Sequence, residues 1–188
     1  MSAAFVRRRW SVEEFQCAIR LGLFREDERL ELLDGEIFEK MPPDPPHSTT
    51  IPLSHVALNR AFAGLDCHLR TENPIVLTGS SSQPQPDIVV AQGSPRLYTS
   101  RHPAPTDTLL VVEVSASTLT DDRNAKSALY AMAGIAEYWI VNLQDRQLEV
   151  HRHPQNGIWT QTQVVAATGS IAPLAAPNMP VTVADLLP

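Results

Sequence analysis

The sequence predicts an α/β fold of the α+β type, in which helices flank a mixed central β-sheet. Three observations lead to this prediction: a hairpin signal near the N-terminus, strongly apolar strand segments in the middle, and helix patterns on either side of them. The expected order of elements is α-β-β-α-β-β-β-α-β-β, which indicates packed layers of sheet and helix. The 188 residues suffice for one domain, 1–188, with a hydrophobic core of its own.

The first third of the chain is expected to hold a helix, a hairpin and a second helix. Ser11-Val12-Glu13-Glu14 has the pattern of a capping box and predicts a helix start. Asp34-Gly35, between two strand-like runs, is a strong hairpin signal. The Pro-rich segment 42–46 predicts a loop, and a second helix is expected over 49–64. The first helix is expected to turn three apolar residues inwards, namely Phe15, Ile19 and Leu23.

The rest of the chain alternates between apolar strand segments and polar connections. The most apolar segment, 109–114, predicts a strand that is buried on both faces. A helix is expected to follow it over 121–133 and to end at Gly134. The remaining predicted strands cover 72–77, 87–91, 137–142 and 148–151, with a weaker one at 159–165 and a short helix at 183–187.

Composition limits the range of functions. The net charge of −6 argues mildly against tight, non-specific nucleic-acid binding, which depends on cations that neutralise phosphates. Arg7-Arg8-Arg9 is a local basic patch that could still dock a nucleic acid. We expect neither a signal peptide nor a membrane span, because no apolar run is long enough. The two cysteines, Cys17 and Cys67, favour reduced thiols in a cytoplasmic protein without a zinc site.

Glu113 is the most informative single residue, because it interrupts the apolar strand 109–114. A carboxylate in a buried strand is costly unless it is paired, protonated or bound to a cation. Asp87 starts another strand directly after Pro86 and could lie close to Glu113 if the two strands are neighbours. With the Val114 carbonyl, these carboxylates predict a Mg²⁺ site. Alternatively, Glu113 faces a solvated groove or pairs with an arginine, and Asp87 only caps a turn.

Four further residues are candidates with competing interpretations. Lys126 lies in the helix that follows strand 109–114, and its long stem could reach the same site, or it is a solvated lysine. Glu31 either joins the site or forms the polar face of its strand, which the alternation slightly favours. Tyr130 could hydrogen-bond into the site but is favoured as a core tyrosine, and His47 could contact substrate but is favoured as a helix-cap residue. His151 and His153 would share a strand face, and we interpret both as surface residues.

Several motifs, taken in order along the chain, resemble one known family. The segments that carry the resemblance are 29–37, 42–43 with His47, 83–90, 112–119, 122–130, 133–142 and 181–188. Together they look like the Uma2-type family, or DUF820, whose members resemble restriction endonucleases of the PD-(D/E)XK superfamily. Each motif is weak alone, but the ordered set is specific and covers nearly the whole chain.

The resemblance implies a restriction endonuclease-like core and specific roles for four residues. Asp87 matches the metal-binding Asp, and Glu113 matches the acidic residue of the E-x-K element. Position 115, where that element usually has Lys, is Ser115, and the lysine function is expected at Lys126 instead. Glu31 matches an acidic residue that precedes the core. Two departures from the family, Ala116 and Asn142, could alter the charge of the site but remove no core residue.

The resulting hypothesis is metal-dependent phosphodiester hydrolysis, with Mg²⁺ or Mn²⁺ as cofactor and a nucleic acid, DNA in first place, as partner. Asp87 and Glu113 would hold the ion, and Lys126 would position water or stabilise charge on the phosphoryl group. One alternative is a nuclease fold that binds nucleic acid or protein without cutting. Another is a Mg²⁺-dependent hydrolase of small phosphoesters. A homodimer that uses residues 138–140 and the Pro-rich loops is also open.

Overall fold

The structure of the protein, a computed structural model, describes residues 6–188, so part of the segment used to judge a signal peptide lies outside it. Its α-helices are α1 (Val12–Arg20), α2 (Pro45–Ala61), α3 (Leu119–Asp121) and α4 (Ser127–Ala133), and a π-helical segment, Asp122–Lys126, joins the last two. Its strands are β1 (Leu30–Leu33), β2 (Glu36–Glu39), β3 (Cys67–Thr71), β4 (Ile88–Gln92), β5 (Thr108–Ser115), β6 (Glu137–Asn142), β7 (Gln147–Gln155), β8 (Ile158–Ala166), β9 (Ser170–Ile171) and β10 (Val181–Thr182).

The central sheet has six strands in the order β3-β4-β5-β6-β7-β8. β5 and β6 are parallel, because the chain crosses between them through α3 and α4, whereas the other neighbouring pairs are antiparallel. The mixed central sheet flanked by helices is therefore confirmed. Two small two-stranded sheets, β1-β2 and β9-β10, lie outside it. One domain over all 188 residues stays a prediction.

Two layers cover the two faces of the sheet. α2 and the C-terminal segment pack on one face through aliphatic residues such as Leu58, Val112 and Leu186. The helical segment α3–α4 packs on the other face, where Tyr130 and Tyr138 are fully buried. Side chains alternate from Leu110 to Ser115 of β5, so in this stretch the even-numbered residues face α2 and the odd-numbered residues face α4. This alternation places Glu113 on the α4 face.

The predicted start of α1 and the hairpin are confirmed. The Ser11 hydroxyl accepts a hydrogen bond from the Glu14 N–H at 3.2 Å, and the Glu14 carboxylate accepts one from the Ser11 N–H at 3.0 Å. Asp34 and Gly35 have φ values of 48° and 76°, as a type I′ turn requires. The prediction for the inner face of α1 is only partly correct: Phe15 is buried, but Ile19 in the last turn is exposed, and Leu23 is exposed because the helix already ends at Arg20.

Helix α2 begins earlier than the sequence predicted. The Asp44 side chain caps it by accepting a hydrogen bond from the His47 N–H at 3.0 Å. Pro45 and Pro46 lie in its first turn, where a backbone N–H has no partner within the helix, so their missing donors cost little. The second half of the predicted loop 42–46 is therefore helical, and the helix ends at Ala61 rather than at residue 64.

The predicted strand 72–77 is wrong. The strand that pairs with β4 is β3, and the chain turns at Glu72, which has a φ of 51°. Ile75 and Leu77 are fully buried, but they belong to an irregular segment that packs on the α4 face of the sheet. Their alternation reflects burial rather than strand pairing. β7 and β8 contain the predicted strands 148–151 and 159–165 but are longer, and residues 183–186 form a 3₁₀ helix.

Three apolar residues proposed for a dimer surface lie elsewhere. Tyr138, Trp139 and Ile140 have no exposed surface, because they sit in a central strand covered on both faces. Hence they cannot contact a second copy in this fold. Within residues 6–188, no helix has both the length and the apolar character needed to cross a membrane.

Candidate active site

The ends of β4 and β5 bring Asp87 and Glu113 together. Asp87 directly precedes β4, and its neighbour Ile88 pairs with Val112. Asp87 therefore lies beside the last residues of β5, and its Oδ2 accepts a hydrogen bond from the Val114 N–H at 2.8 Å. Because the N–H and C=O of one residue point to the same side of an extended strand, the Val114 carbonyl also faces Asp87.

Glu113 is buried against the helical layer rather than in a solvated groove. Its Oε1 accepts hydrogen bonds from the Lys126 ammonium at 3.1 Å and from the Tyr130 hydroxyl at 2.8 Å. Tyr130 is thus a core tyrosine whose hydroxyl is satisfied by a residue of the site. Both donors reach the same oxygen, and no donor of the described side chains contacts Oε2. That oxygen is available to a further ligand.

Lys126 lies at the centre of the acidic cluster, and the interpretation as a solvated lysine is wrong. Its Nζ is 3.1 Å from Glu113 Oε1, 3.5 Å from Glu31 Oε1 and 3.7 Å from Asp122 Oδ1. The residue ends the π-helical segment, a geometry that is rare and often found at functional sites. The three carboxylates around this buried ammonium would repel any further anion. An anionic ligand can therefore reach Lys126 only if a cation or a proton reduces the negative charge of the cluster.

The hairpin β1–β2 delivers Glu31 to the same cluster. The slightly favoured prediction, an exposed polar face, is wrong, because Glu31 is only 5% exposed. Its Oε2 accepts a hydrogen bond from the Gln85 N–H at 3.2 Å, in the loop that leads into Asp87. The alternation along β1 correctly places Glu31 on the opposite face from its apolar neighbours. It does not indicate that this face of the hairpin is also buried.

Lys40 and His47 form the more exposed side of the site, and sequence reasoning missed Lys40 altogether. Lys40 Nζ donates to the Gln85 carbonyl at 2.8 Å and lies 3.1 Å from Asp87 Oδ1. His47 Nε2 lies 3.2 Å from Asp87 Oδ2, although this residue was favoured only as part of a helix cap. Both side chains are partly exposed, whereas Asp87 is not, so they cover it from solvent.

Asp122 is a second residue that the sequence did not single out. Its Oδ2 accepts hydrogen bonds from the Ser115 hydroxyl at 2.6 Å and the Thr118 hydroxyl at 2.7 Å. Ser115, which stands where the E-x-K element has Lys, therefore anchors the start of the helix that carries Lys126. An Asp four residues before a Lys is a recognisable helix pair, and this spacing could have indicated Asp122.

Burial and neighbouring charges shift the pKa values of Asp87 and Glu113 in opposite directions. Burial alone would raise the pKa of Asp87, but the hydrogen bond from His47, the charge of Lys40 and the Val114 N–H outweigh it, so the pKa lies well below its usual range. Burial raises the pKa of Glu113 to about 8, although the charge of Lys126 opposes this rise. Asp87 is thus a permanent anion, while Glu113 can carry a proton near neutral pH.

The charges of the other groups follow from the same surroundings. Burial alone would lower the pKa of Lys126, but the carboxylates of Glu113, Glu31 and Asp122 raise it above the ordinary value. Burial would also lower the pKa of His47, but the hydrogen bond and charge of Asp87 raise it. Cations on either side therefore stabilise the carboxylates of a site that is otherwise closed to water.

The donor set fits a hard divalent cation in chemical type. Carboxylate and carbonyl oxygens are the ligands such ions prefer, and Asp87, Glu113 and the Val114 carbonyl supply them. No group of three His, Cys, Asp or Glu side chains within residues 6–188 is arranged to hold an ion. Two carboxylates are nevertheless enough for Mg²⁺, which usually keeps several waters. In this structure, the Lys40 ammonium provides the positive charge beside Asp87.

Two sequence interpretations lie outside the cluster. The charge of the basic patch at residues 7–9 is partly neutralised, because each arginine forms an exposed ion pair with an acidic residue: Arg7 with Glu36, Arg8 with Glu14 and Arg9 with Asp34. His151 is not a surface residue, because its ring stacks on Tyr138 at 5.7 Å and both its ring nitrogens are buried. His153 is exposed, as predicted.

The fold and this cluster define a protein with a restriction endonuclease-like core and an acidic site around one lysine. The Uma2 family model, described as "Putative restriction endonuclease", matches residues 12–184, and the chain belongs to this family. A crystal structure from Anabaena variabilis, described as "a putative nuclease belonging to DUF820", is similar with a TM-score of 0.71 and 19% identity over 94% of this chain and 97% of that one. At this identity the likeness shows the fold alone. Comparison with curated proteins gives no match.

Proposed function

We propose that this protein is a nuclease that depends on a divalent metal and hydrolyses phosphodiester bonds, with DNA as its substrate. The observation that carries the proposal is Glu113: a buried carboxyl at the end of a central strand, next to Asp87 and in contact with Lys126. Such a carboxyl is costly to bury, which makes a functional role the better explanation. The family match supports a nuclease in general terms.

Asp87, Glu113 and the Val114 carbonyl are the residues we assign to the metal, with Mg²⁺ as the natural ion and Mn²⁺ as a substitute. A bound ion of this kind supplies Lewis acidity toward a phosphate oxygen. Glu113 must lose its proton to take part, and the Lys126 charge favours that loss. Glu31 and Asp122 hold the Lys126 ammonium in place, with carboxylate oxygens 3.5 and 3.7 Å from its Nζ.

The reaction we propose is attack of a water oxygen on phosphorus, with cleavage of the bond to one sugar oxygen. The attacking water gives up one proton and the departing sugar oxygen takes one up, so that one water is consumed. Lys126 would donate hydrogen bonds to a non-bridging oxygen, where negative charge accumulates. A phosphate would have to approach past Lys40 and His47, the more exposed residues of the site. Both can carry positive charge, which favours an anionic substrate at this entrance.

A second candidate function is supported by one feature of the site. Asp87 has donors on both carboxylate oxygens, from Lys40 on Oδ1 and from His47 and Val114 on Oδ2. If this pairing persisted in the presence of metal, the chain would be a binding module on a nuclease fold, without cleavage. The assignment of a homodimer and of a cytoplasmic location remains a prediction.

The experiment that tests the proposal is cleavage of supercoiled plasmid and of single-stranded DNA with Mg²⁺, Mn²⁺ or EDTA. Wild type should nick DNA only with metal, and Lys126→Met should lose cleavage while keeping the helix that carries it. Thr49→Ala, on the exposed side of α2, is the matched control and should cut like wild type. Intact DNA under every condition, with a folded protein that binds DNA, would favour the binding module.

A further inference from the structure

A cluster of basic and aromatic side chains lies on the α4 face of the sheet, at the edge strand β3. It consists of His68, Arg70, Tyr98, Arg101 and His102, and we call it the Arg70 cluster. The Arg70 guanidinium lies 5.6 Å and the Arg101 guanidinium 5.0 Å from the centre of the Tyr98 ring, within the range of cation–π contacts. The His68 ring lies 5.5 Å from the same ring.

Arg70 differs from the other partly buried arginines in having no acidic partner. Among residues 6–188, Arg29, Arg123 and Arg152 each pair with a glutamate, whereas no ion pair involves Arg70. Its Nε is buried without a hydrogen-bond acceptor in the same part of the chain. In a protein with a net charge of −6, an arginine that is half buried and unpaired is unusual, since burying it has a cost that no carboxylate offsets.

Its neighbours leave Arg70 as the uncompensated cation of the cluster. His68 Nδ1 lies 2.8 Å from the Gly93 carbonyl, while its Nε2 is buried without a partner in the described chain. Arg101 forms a two-point ion pair with Asp107, so that it is only partly available. Burial and the charge of Arg70 both lower the pKa of His102, as expected for a half-buried imidazole beside an unpaired cation.

The sheet register places this cluster near the carboxylate site. Arg70 pairs with Val89 and Val89 pairs with Val111, so the three side chains share one face. Asp87 and Glu113 each lie two residues further along the same face. From a strand spacing of about 4.8 Å and a rise of about 3.3 Å per residue, the Arg70 Cα is roughly 8 Å from that of Asp87 and roughly 12 Å from that of Glu113.

We infer that the Arg70 cluster is a docking site for a backbone phosphate of a nucleic-acid strand, a few nucleotides from the phosphate that is cleaved. The choice of ligand rests on the proposed function. Arginine is suited to this role because its guanidinium offers several donors to one phosphate and stacks on aromatic rings and bases. An overall acidic nuclease would thereby gain an unpaired cationic contact close to its site, whereas arginines 7–9 each have an acidic partner.

The test measures binding of a short fluorescent oligodeoxynucleotide, as a single strand and as a duplex, in EDTA so that nothing is cut. Arg70→Gln should weaken binding severalfold and reduce the slope of log K against log salt by about 0.7 for the single strand and about 0.9 for the duplex. Arg60→Gln is the matched control, because this exposed arginine of α2 lies on the other side of the sheet. Its slope should equal that of wild type.

Two additions keep the test decisive if Arg70→Gln does not fold. Arg70→Lys keeps the charge and should keep the salt slope. In wild type, the Arg70 Nε–H resonance should shift when the oligonucleotide is added. Equal slopes for the Arg70→Gln and Arg60→Gln variants, or no binding by wild type, would each overturn the inference. Metal binding by Asp87 and Glu113 is measured separately, so a failure here leaves the proposed function standing.

Discussion

The two faces of the central sheet use the same strands for different purposes. Toward α2, β5 presents Leu110, Val112 and Val114 to an aliphatic layer. Toward α4, the same strand presents Val111 and then Glu113 and Ser115, which meet Lys126 and Asp122. One face is closed mainly by apolar packing, with a single buried ion pair between Glu137 and Arg152, and the other ends in a network of several buried charges.

This difference shows how a small domain can accommodate a charged site without losing its core. The apolar α2 face supplies the burial that stabilises the fold, at about 25 cal/mol per Å² of apolar surface. The α4 face keeps its charges in a cluster where carboxylates and ammonium groups compensate one another. Substitutions on the α2 face should therefore change stability, and substitutions in the cluster should change metal binding and cleavage.

The largest effect is expected for Glu113→Gln. Removing the charge takes away an assigned metal ligand, so metal affinity and cleavage should each fall by more than about 100-fold, beyond the loss typical of residues that only support a ligand. The protein should remain folded, since Lys126 keeps Glu31 and Asp122 within 3.7 Å. Calorimetric titration measures the metal affinity, and a thermal melt shows whether the variant is folded. Wild-type affinity in a folded variant would exclude Glu113 from the metal site.

Leu110→Ala is the corresponding change on the α2 face. The side chain is fully buried in the aliphatic layer, so the cavity should lower the free energy of unfolding by about 2–5 kcal/mol. Urea denaturation measures this loss. Metal affinity at a temperature where the variant is folded should match wild type, and a parallel loss of affinity would mean that the two faces are not separate.

The pH dependence of metal binding is the next largest effect. Burial raises the pKa of Glu113 to about 8, so at neutral pH the ion must displace a proton from this carboxyl. Metal affinity should rise about tenfold per pH unit below pH 8 and level off above it. Titrations in two buffers with different ionisation enthalpies would detect the released proton. Equal affinity at pH 6.5 and 8.5 would show that Glu113 binds metal without losing a proton.

Lys40→Met should strengthen metal binding. The ammonium lies 3.1 Å from Asp87 Oδ1 and competes for that carboxylate with any other cation. Removing it should tighten Mn²⁺ binding by roughly tenfold. This is less than a full charge–charge interaction would give, because the Lys40 side chain is partly exposed to solvent. Arg25→Met, at an exposed ion pair outside the cluster, is the control. Weaker binding in Lys40→Met would mean that Lys40 supports the site instead of blocking it.

Tyr130→Phe should have the smallest effect. It removes one hydrogen bond to Glu113 Oε1, worth about 0.5–1.5 kcal/mol, and leaves the ring packing intact. The pKa of Glu113 should rise further, so metal affinity at pH 7 should drop only severalfold and recover above pH 9. A drop that persists at high pH would point to a direct role of the hydroxyl.

Asp87 and Glu113 could be predicted because each breaks a strong local pattern. Glu113 is the one charge in an apolar strand, and Asp87 stands at a strand entrance fixed by Pro86. Lys126 followed from the helix after that strand and from the resemblance to the Uma2 family. These three residues come together in space only because β4 and β5 are neighbours. The sequence suggested this strand order only through the spacing of 26 positions from Asp87 to Glu113.

Other residues were out of reach for physical reasons. Lys40 follows β2 directly and reaches Asp87 only because the hairpin β1–β2 folds over the start of β4. No pattern in the neighbouring sequence indicates this tertiary contact. β3 was missed because its sequence, Cys-His-Leu-Arg-Thr, is polar and only half buried. The neighbouring Ile75 and Leu77 are fully buried without being in a strand, so the hydrophobic pattern marked the wrong segment.

The central claim is that Asp87 and Glu113 together bind a divalent cation at the end of two neighbouring strands. Electron paramagnetic resonance of free Mn²⁺ during titration tests it most directly, with wild type, Asp87→Asn, Glu113→Gln and Leu110→Ala side by side. We predict one site that is lost in both carboxylate variants, retained in Leu110→Ala and displaced by Mg²⁺. Binding that survives in Asp87→Asn and Glu113→Gln, or no binding by wild type at millimolar Mn²⁺, would contradict the claim.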